Sequence, residues 1–214
     1  MMQEKMKKFA ILLNGDLDVT TRLTEQLAGA EIIAADGGMR HAEKLGVVPT
    51  CWIGDFDSSN EDLLEKWPDV PRIEHPPLKD KTDGELAVEH AIENGASEIV
   101  LVAGLGGQTD QVFSHLLQLI KLARQKISCF ASSGIEEAWP LLVGSFLYDF
   151  PHGATLSVVG LSPLERLSVR GVKWPLEAAD IEFGSTWTLS NEVMGPVSIV
   201  LCGGCGVVLV RNAD

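Results

Sequence analysis

Positive charge, cysteine and long apolar runs are all scarce in this sequence, and each scarcity removes a class of function. Lys and Arg number 17 against 30 Asp and Glu, which leaves the 214 residues with a net charge of −13. A nucleic-acid backbone is gripped through Lys and Arg, so this balance argues against nucleic acid as a partner. There are four cysteines, Cys51, Cys129, Cys202 and Cys205. They are too few for a disulfide framework and, without an export signal, imply free thiols in a reducing cytoplasm. The apolar stretch that follows Lys5, Lys7 and Lys8 runs only from Phe9 to Leu13, too short for the core of a signal peptide. The longest uncharged run, Val193 to Val210, is broken by Pro196, Gly203, Gly204 and Gly206, and reads as two strands and a turn rather than a membrane span. Fixed-period repeats and low-complexity linkers are also absent.

What is present suits a folded protein. Hydrophobic residues make up 45% and charged residues 22% of the chain, enough apolar surface for one large core or two small ones. From Lys8 to about Ala131, short apolar runs alternate with amphipathic stretches, the pattern of successive β-α units on a mostly parallel sheet. The spacing predicts strands at Phe9–Leu13, Glu31–Ala35, Thr50–Ile53, Arg72–Glu74, Glu98–Ala103 and Ser128–Ala131. It predicts helices at Thr21–Leu27, Met39–Leu45, Glu61–Lys66, Gly84–Asn94 and Gln111–Gln125, with Gly46 and Gly95 as C-terminal caps.

After Ser132 the helical period vanishes. Short β-prone runs follow at Ala138–Val143, Phe146–Asp149, Thr155–Val159, Leu167–Arg170, Trp187–Leu189, Ser198–Cys202 and Val207–Val210, with Gly and Pro between them. The fold class predicted is therefore α/β: a mostly parallel, Rossmann-like sheet with flanking helices over residues 1–134, then a small antiparallel sandwich or barrel over 135–214.

Ligands of an open parallel sheet bind beyond the carboxyl ends of its strands, and here those positions share a composition. The first strand ends in Asn14-Gly15-Asp16, the second in Asp36-Gly37-Gly38, the third in Gly54-Asp55-Phe56-Asp57-Ser58. The fourth runs through Pro76-Pro77 into Lys79-Asp80-Lys81-Thr82-Asp83, and the fifth into Gly104-Leu105-Gly106-Gly107-Gln108-Thr109-Asp110. Carboxylates crowded on one edge repel one another unless cations compensate, and hard divalent ions take oxygen ligands while keeping substrate phosphates. Glycine-rich turns that open helices let backbone N–H groups approach phosphate oxygens. A Mg²⁺–phosphate site explains both features. Any one of these loops is also what ordinary turns and helix caps look like, so the weight rests on the five together.

Other features carry less. The 104–107 loop lacks the Lys-Ser/Thr ending of a Walker A loop, and no dinucleotide fingerprint follows the first strand. Cys202-Gly203-Gly204-Cys205 has redox spacing, yet a β-run follows it, so it reads as two thiols in a hairpin turn. His41, His75, His90, His115 and His152 show no ligand spacing. Ser132-Ser133-Gly134 is no nucleophile elbow. Trp174 and Trp187 fit a core as readily as a ligand platform.

The ordered set Ala35-Asp36-Gly37-Gly38, Gly54-Asp55-Phe56-Asp57-Ser58, Lys79-Asp80-Lys81-Thr82-Asp83 and Gly106-Gly107-Gln108-Thr109-Asp110-Gln111 resembles the thiamine pyrophosphokinase family. Gly171-Val172-Lys173-Trp174-Pro175-Leu176, then Phe183-Gly184 and Thr188-Leu189-Ser190-Asn191, is similar to that family's thiamine-site segment. The resemblance implies an α/β catalytic domain, a β-sandwich domain and a homodimer with sites at the subunit interface. It also implies pyrophosphate transfer from ATP to thiamine, giving thiamine diphosphate and AMP. The family usually has a basic residue after the glycine pair; Gln108 stands there instead, able to donate hydrogen bonds but uncharged.

Residue by residue, the resemblance assigns the catalytic carboxylates to Asp36, Asp55, Asp57, Asp80 and Asp83, with Asp55, Asp57 and Asp83 as Mg²⁺ ligands. ATP would be held by Asn14, Gly37, Gly38, Lys79, Thr82, Gly106, Gly107, Gln108 and Asp110. Thiamine, a cation with two aromatic rings, would meet Trp174, Thr188, Ser190 and Asn191. No membrane or nucleic-acid partner is implied, and a general base is not assignable. Two other readings stand beside this one: a Mg²⁺-dependent phosphohydrolase or nucleotide-sugar transferase using the same carboxylates, and a non-catalytic thiamine or nucleotide sensor.

Overall fold

The protein's structure, a computed structural model, describes residues 7–56, 61–76 and 80–212. It divides into two compact units, residues 1–115 with 126–134 and residues 116–125 with 135–214.

In the first unit six strands pair, all in parallel: β1 (Lys8–Leu12), β2 (Glu31–Ala35), β3 (Cys51–Gly54), β4 (Arg72–Glu74), β5 (Glu98–Val102) and β6 (Ser128–Ser132). Their order across the sheet is β4-β3-β2-β1-β5-β6. Phe9 to Leu12 are all buried, as are Ile99 to Val102, because strands in the middle of a parallel sheet have both faces covered. Each such aliphatic side chain contributes about 1.5–3 kcal/mol of burial free energy. The chain leaves β1 toward β2 on one side, while β5 pairs on the other, so β1 and β5 flank the point where the winding reverses. That is where a crevice opens in a sheet of this kind.

Helices α1 (Thr21–Leu27), α2 (Arg40–Leu45), α3 (Glu61–Lys66), α4 (Asp83–Glu93) and α5 (Thr109–Arg124) connect the strands, and a 3₁₀ turn over Asp36–Met39 precedes α2. The hydroxyls of Thr20 and Thr82 cap α1 and α4 by accepting from Leu23 N–H and Glu85 N–H, each at 3.2 Å. Gly46 ends α2 in the left-handed conformation at φ +64°, as its cap position requires. α5 begins in the first unit and ends in the second.

The second unit is antiparallel and contains β7 (Glu136–Leu141), β8 (Gly144–Tyr148), β9 (Thr155–Gly160), β10 (Leu164–Val172), β11 (Leu176–Ile181), β12 (Asn191–Leu201) and β13 (Gly206–Arg211). One group runs β7-β13-β9 and the other β11-β10-β12-β8. β12 belongs to both: Asn191 and Glu192 pair with β9, while Val197–Leu201 pair with β8. A strand that passes from one sheet to another makes a corner, and here it encloses a core of Leu156, Leu167, Val169, Val193, Val197, Ile199 and Val208.

Two expectations for this half are corrected. Trp187–Leu189 forms a turn, not a strand, and Leu176–Ile181 is a strand. Cys202 and Cys205 sit in a turn, but β12 and β13 pair with β9 rather than with each other, so it closes no hairpin. No helix among the described residues is long and apolar enough to cross a membrane.

Candidate active site

A cleft of about 280 Å³ opens at the reversal point of the parallel sheet, lined from β1 by Leu13, Asn14 and Gly15 and from β5 by Ala103, Gly106 and Gly107. Asp36 enters from the end of β2, Thr82, Asp83 and Gly84 from the start of α4, and Gln108, Gln111 and His115 from the start of α5. Two helix N-termini therefore share one cleft, and their unpaired N–H groups and dipoles favour an anion there.

Strained backbone gathers at the strand ends, two of the three instances lining this cleft. Asp36 after β2, Phe56 after β3 and Ala103 after β5 all have positive φ, at +42°, +59° and +57°. Residues with a Cβ adopt this region at a cost, and such outliers gather where geometry serves a site. Gly15 crosses so close to the β5 loop that a Cβ would fall 2.3 Å from the Ala103 carbonyl oxygen. At Gly38 a Cβ would fall 2.0 Å from the Leu12 carbonyl oxygen. Gly38 therefore seats the 3₁₀ turn against the end of β1, which accounts for it as packing.

Of the residues expected around ATP, the cleft gathers Asn14, Thr82, Gly106, Gly107 and Gln108, with Asp36 and Asp83 among the carboxylates. Gly37 lies against the Asn14 side chain behind that surface. Asp55 follows β3 outside the lining, and Asp80 is exposed before α4. Asp110 is also exposed, and accepts Gln111 N–H at 2.9 Å. Asp57, Ser58 and Lys79 lie outside the described residues.

Four contributors are given no role by the sequence: Arg40 is not singled out, His41 and His115 show no ligand spacing, and Gln111 is named only within its motif. Arg40 Nη2 donates to the carbonyls of Asn14 and Gly15 at 2.9 and 2.8 Å, and His41 Nε2 lies 3.0 Å from the Gly15 carbonyl. Arg40 Nε, a donor, lies 3.3 Å from the same His41 Nε2, so its two neighbours make opposite demands on that nitrogen. Gln111 and His115 line the cleft, and His115 Nδ1 donates to Gly104 O at 2.9 Å, leaving Nε2 as an acceptor. Burial pushes the His41 and His115 imidazoles below the ordinary histidine range. The signal was available in part: Gln108, Gln111 and His115 recur at spacings of three and four, one face of a helix.

Asp36 Oδ1 is buried without a hydrogen-bond partner among the described residues. A carboxylate oxygen left so is costly unless something electropositive meets it. Asp83 lines the same cleft, and Mg²⁺ is commonly held by one or two carboxylates together with waters and substrate phosphates. The oxygen donors fit that ion. Among the described residues no three metal-ligating side chains gather into a complete cage, and no Lys or Arg lines the cleft.

The second unit has its own pocket, about 240 Å³, lined by Leu156, Val158, Trp174, Trp187, Thr188 and Asn191 among others. Trp174 and Trp187 are 57% and 63% exposed, which makes them walls of an open site and not core residues. Thr188 is buried, its hydroxyl donating to Val158 O at 2.6 Å. Ser190 sits at φ +57°, with its N–H donating to Ser157 Oγ. Lys173 Nζ lies 5.0 Å from the Trp174 ring and 2.8 Å from Glu192, whose carboxyl it holds below the usual range.

With both sites described, comparison with known proteins is informative. The family profile described as the thiamin pyrophosphokinase catalytic domain matches residues 24–131. The profile of the vitamin B1 binding domain of thiamin pyrophosphokinase matches residues 148–203. The chain belongs to the thiamin pyrophosphokinase family. It is 26% identical to thiamin pyrophosphokinase 1 of Caenorhabditis elegans over 90% of this chain and 88% of that one. It is equally identical to the thiamine pyrophosphokinase of Bacillus subtilis, over 85% and 87%. The crystal structure of the B. subtilis protein superposes with a TM-score of 0.85 at 23% identity, covering 97% of this chain and all of that one. The family's mixed α/β fold, with a large sheet and few helices, is thus the fold seen here.

Proposed function

We propose that this chain is a thiamine pyrophosphokinase enzyme, transferring the pyrophosphoryl group of ATP to the hydroxyl of thiamine to give thiamine diphosphate and AMP. The observation that carries the reading is the pairing, within one chain, of a carboxylate-bearing cleft under two helix N-termini with a separate tryptophan-walled pocket. The first suits a metal-bound polyphosphate and the second an aromatic cation. A hydrolase has no use for the second.

In this reading the first unit, within residues 1–134, is a Rossmann-like catalytic domain, and the second, within 135–214, a β-sandwich that binds thiamine. The thiamine oxygen forms a bond to the β-phosphorus of ATP while the bond from that phosphorus to the bridging α–β oxygen breaks, and AMP departs with the bonding pair. The hydroxyl proton leaves to solvent. Asp55, Asp57 and Asp83 are the residues that would hold Mg²⁺, with Asp80 supporting them and Asp36 meeting the ion or the phosphates it carries. When bound, that ion neutralises the polyphosphate charge. Backbone N–H groups of Gly106 and Gly107 and the amides of Asn14, Gln108 and Gln111 orient the nucleotide, and Thr82 opens α4 toward it. Lys79 is the cation assigned to its phosphates, Gly37 and Gly38 shape the floor, and Asp110 fixes the start of α5. Trp174 stacks on thiamine, with Thr188, Ser190 and Asn191 framing the pocket. The working form is a cytoplasmic homodimer; Phe113 and Leu117, one turn apart on α5 and 54% and 47% exposed, support an apolar contact with a second copy.

The test is a chromatographic assay with ATP, Mg²⁺ and thiamine. AMP forming in step with thiamine diphosphate, and only with thiamine present, supports the proposal. ADP or inorganic phosphate released without thiamine indicates the hydrolase, and binding without product indicates the sensor. Asp55→Asn is expected to lose turnover with the fold intact, and near-normal activity in that variant would overturn the metal assignment.

A further inference from the structure

We propose that Trp52 is a positioning residue that sets two acidic strand-end loops at once, an inference resting on the catalytic reading of those loops above. Trp52 is fully buried in β3. Its indole N–H donates at 2.8 Å to the main-chain carbonyl of Asp36, the residue that follows β2. Its ring meets Phe56 edge to face, with centroids 5.0 Å apart and planes at 80°. Arg72, opposite Trp52 in the β3–β4 register, places its guanidinium 5.7 Å from the indole ring centre.

Both residues held in this way have the left-handed backbone described above, Asp36 at φ +42° and Phe56 at φ +59°. Such a conformation persists only where its surroundings over-determine it, and Trp52 supplies a constraint to each. A buried tryptophan needs an acceptor for its N–H, and any strand carbonyl would satisfy it. The acceptor used is the carbonyl of Asp36, the residue that, among the described residues, lines the cleft with an unpartnered buried oxygen. Fixing that peptide group fixes the direction in which the Asp36 carboxylate leaves the backbone. Phe56 stands next to Asp55, so its ring contact sets the second loop from the same indole. Trp52 is not among the residues lining the cleft; its role is to keep the carboxylates in register with the phosphates.

The cleanest test replaces Trp52 with benzothienylalanine, which keeps the bicyclic shape and removes only the N–H donor. Trp52→Phe serves as the encoded counterpart, and Phe130→Leu, in buried β6, controls for general destabilisation. Loss of one buried hydrogen bond is expected to lower kcat about tenfold and to speed amide exchange of residues 36–40 about tenfold. The KM for thiamine and exchange in β1 and β5 should stay within about twofold of the unsubstituted protein. Phe130→Leu should lower the Tm without this selective loss. Unchanged kcat and unchanged exchange at 36–40 in the benzothienylalanine protein would overturn the proposal, as would a loss of protection spread evenly over the sheet. Failure of the functional reading shows separately, as an unsubstituted protein that forms no AMP, and the exchange measurement still decides whether Trp52 holds the Asp36 turn.

Discussion

The side chain of Asn191 holds both backbone polar groups of Trp174. Trp174 N–H donates to Asn191 Oδ1 at 3.1 Å, and Asn191 Nδ2 donates back to the Trp174 carbonyl at 2.7 Å. The same Oδ1 accepts Glu192 N–H at 2.9 Å, so one amide ties the segment after β10 to the start of β12. Trp174 can thus be mostly exposed yet held in place, which is what a stacking wall requires. The Asn expected to meet thiamine is, in this geometry, largely committed to aiming the tryptophan.

It follows that Asn191→Ala should act chiefly through Trp174. Three side-chain hydrogen bonds to main chain are lost, a stability cost of about 1–3 kcal/mol. The KM for thiamine should rise about tenfold, the equivalent of about 1.4 kcal/mol of misplaced stacking, with the KM for ATP unchanged. Steady-state kinetics at saturating ATP and saturating thiamine separate the two constants. An equal rise in both would refute the positioning role.

Asp36 allows charge and backbone strain to be separated. Asn tolerates the left-handed region nearly as well as Asp, and the Trp52 bond goes to the main chain, so Asp36→Asn leaves the fold undisturbed. Turnover should nevertheless fall by about 10²-fold or more, since the missing charge is one that the proposed reading gives to the Mg²⁺–phosphate site. Asp36→Ala should lose the same activity and about 1 kcal/mol of stability besides, because Ala resists φ +42°. Thermal unfolding and AMP formation measured on both variants decide the matter. An active Asp36→Asn protein would remove Asp36 from the site.

How much of this was legible beforehand depended on whether a local rule and the tertiary setting agreed. The β-α alternation was readable because β1, β2, β3 and β5 are buried as nearly continuous apolar runs and each long helix carries a three-and-four spacing. Gly46 was readable as a cap because only its own backbone decides it. Leu176–Ile181 was not, since among the described residues β11 pairs with β10 alone, and its half-exposed sequence of Glu177, Asp180 and two alanines has neither β-branched residues before Ile181 nor an apolar run to announce it. Trp187–Leu189 misled in the opposite sense: its residues favour strands, but Gly184 and Ser190, both at positive φ, turn the chain on either side. The site shows the same division. The acidic strand ends were visible as composition, but whether a carboxylate reaches the cleft was not. Asp36 reaches it because a left-handed turn carries it inward, while Asp110 is spent on its own helix start.

The histidines predict how stability responds to acid. Burial lowers the folded-state pKa of His41 and His115 below their ordinary value of 6.5. Both are neutral in either state above that value, and as pH falls below it the unfolded chain takes up protons first. Their contribution is therefore present near neutrality and lost as pH drops below 6.5 toward the folded pKa. The Tm should decline across that window. His115→Asn, which can still donate to the Gly104 carbonyl, should make the decline shallower. An unaltered slope in this variant would show that other groups govern the acid limb.

Gly15 and Gly46 separate close approach from backbone conformation. A Cβ at Gly15 would lie 2.3 Å from the Ala103 carbonyl oxygen and 2.9 Å from that of Gly106. Both are main-chain atoms, so the loops after β1 and β5 would have to separate, and with them the two walls of the cleft. Gly15→Ala should cost about 1–3 kcal/mol and raise the KM for ATP, since Asn14, Gly106 and Gly107 would all shift. Gly46 has open space around it but sits at φ +64°, so Gly46→Ala should cost about 1 kcal/mol through strain alone and leave both KM values unchanged. Comparing the pair by thermal unfolding and ATP saturation tells a defect at the cleft from a general loss of stability. If Gly15→Ala and Gly46→Ala behaved alike in both measurements, the close crossing of the β1 and β5 loops would not be what shapes the nucleotide site.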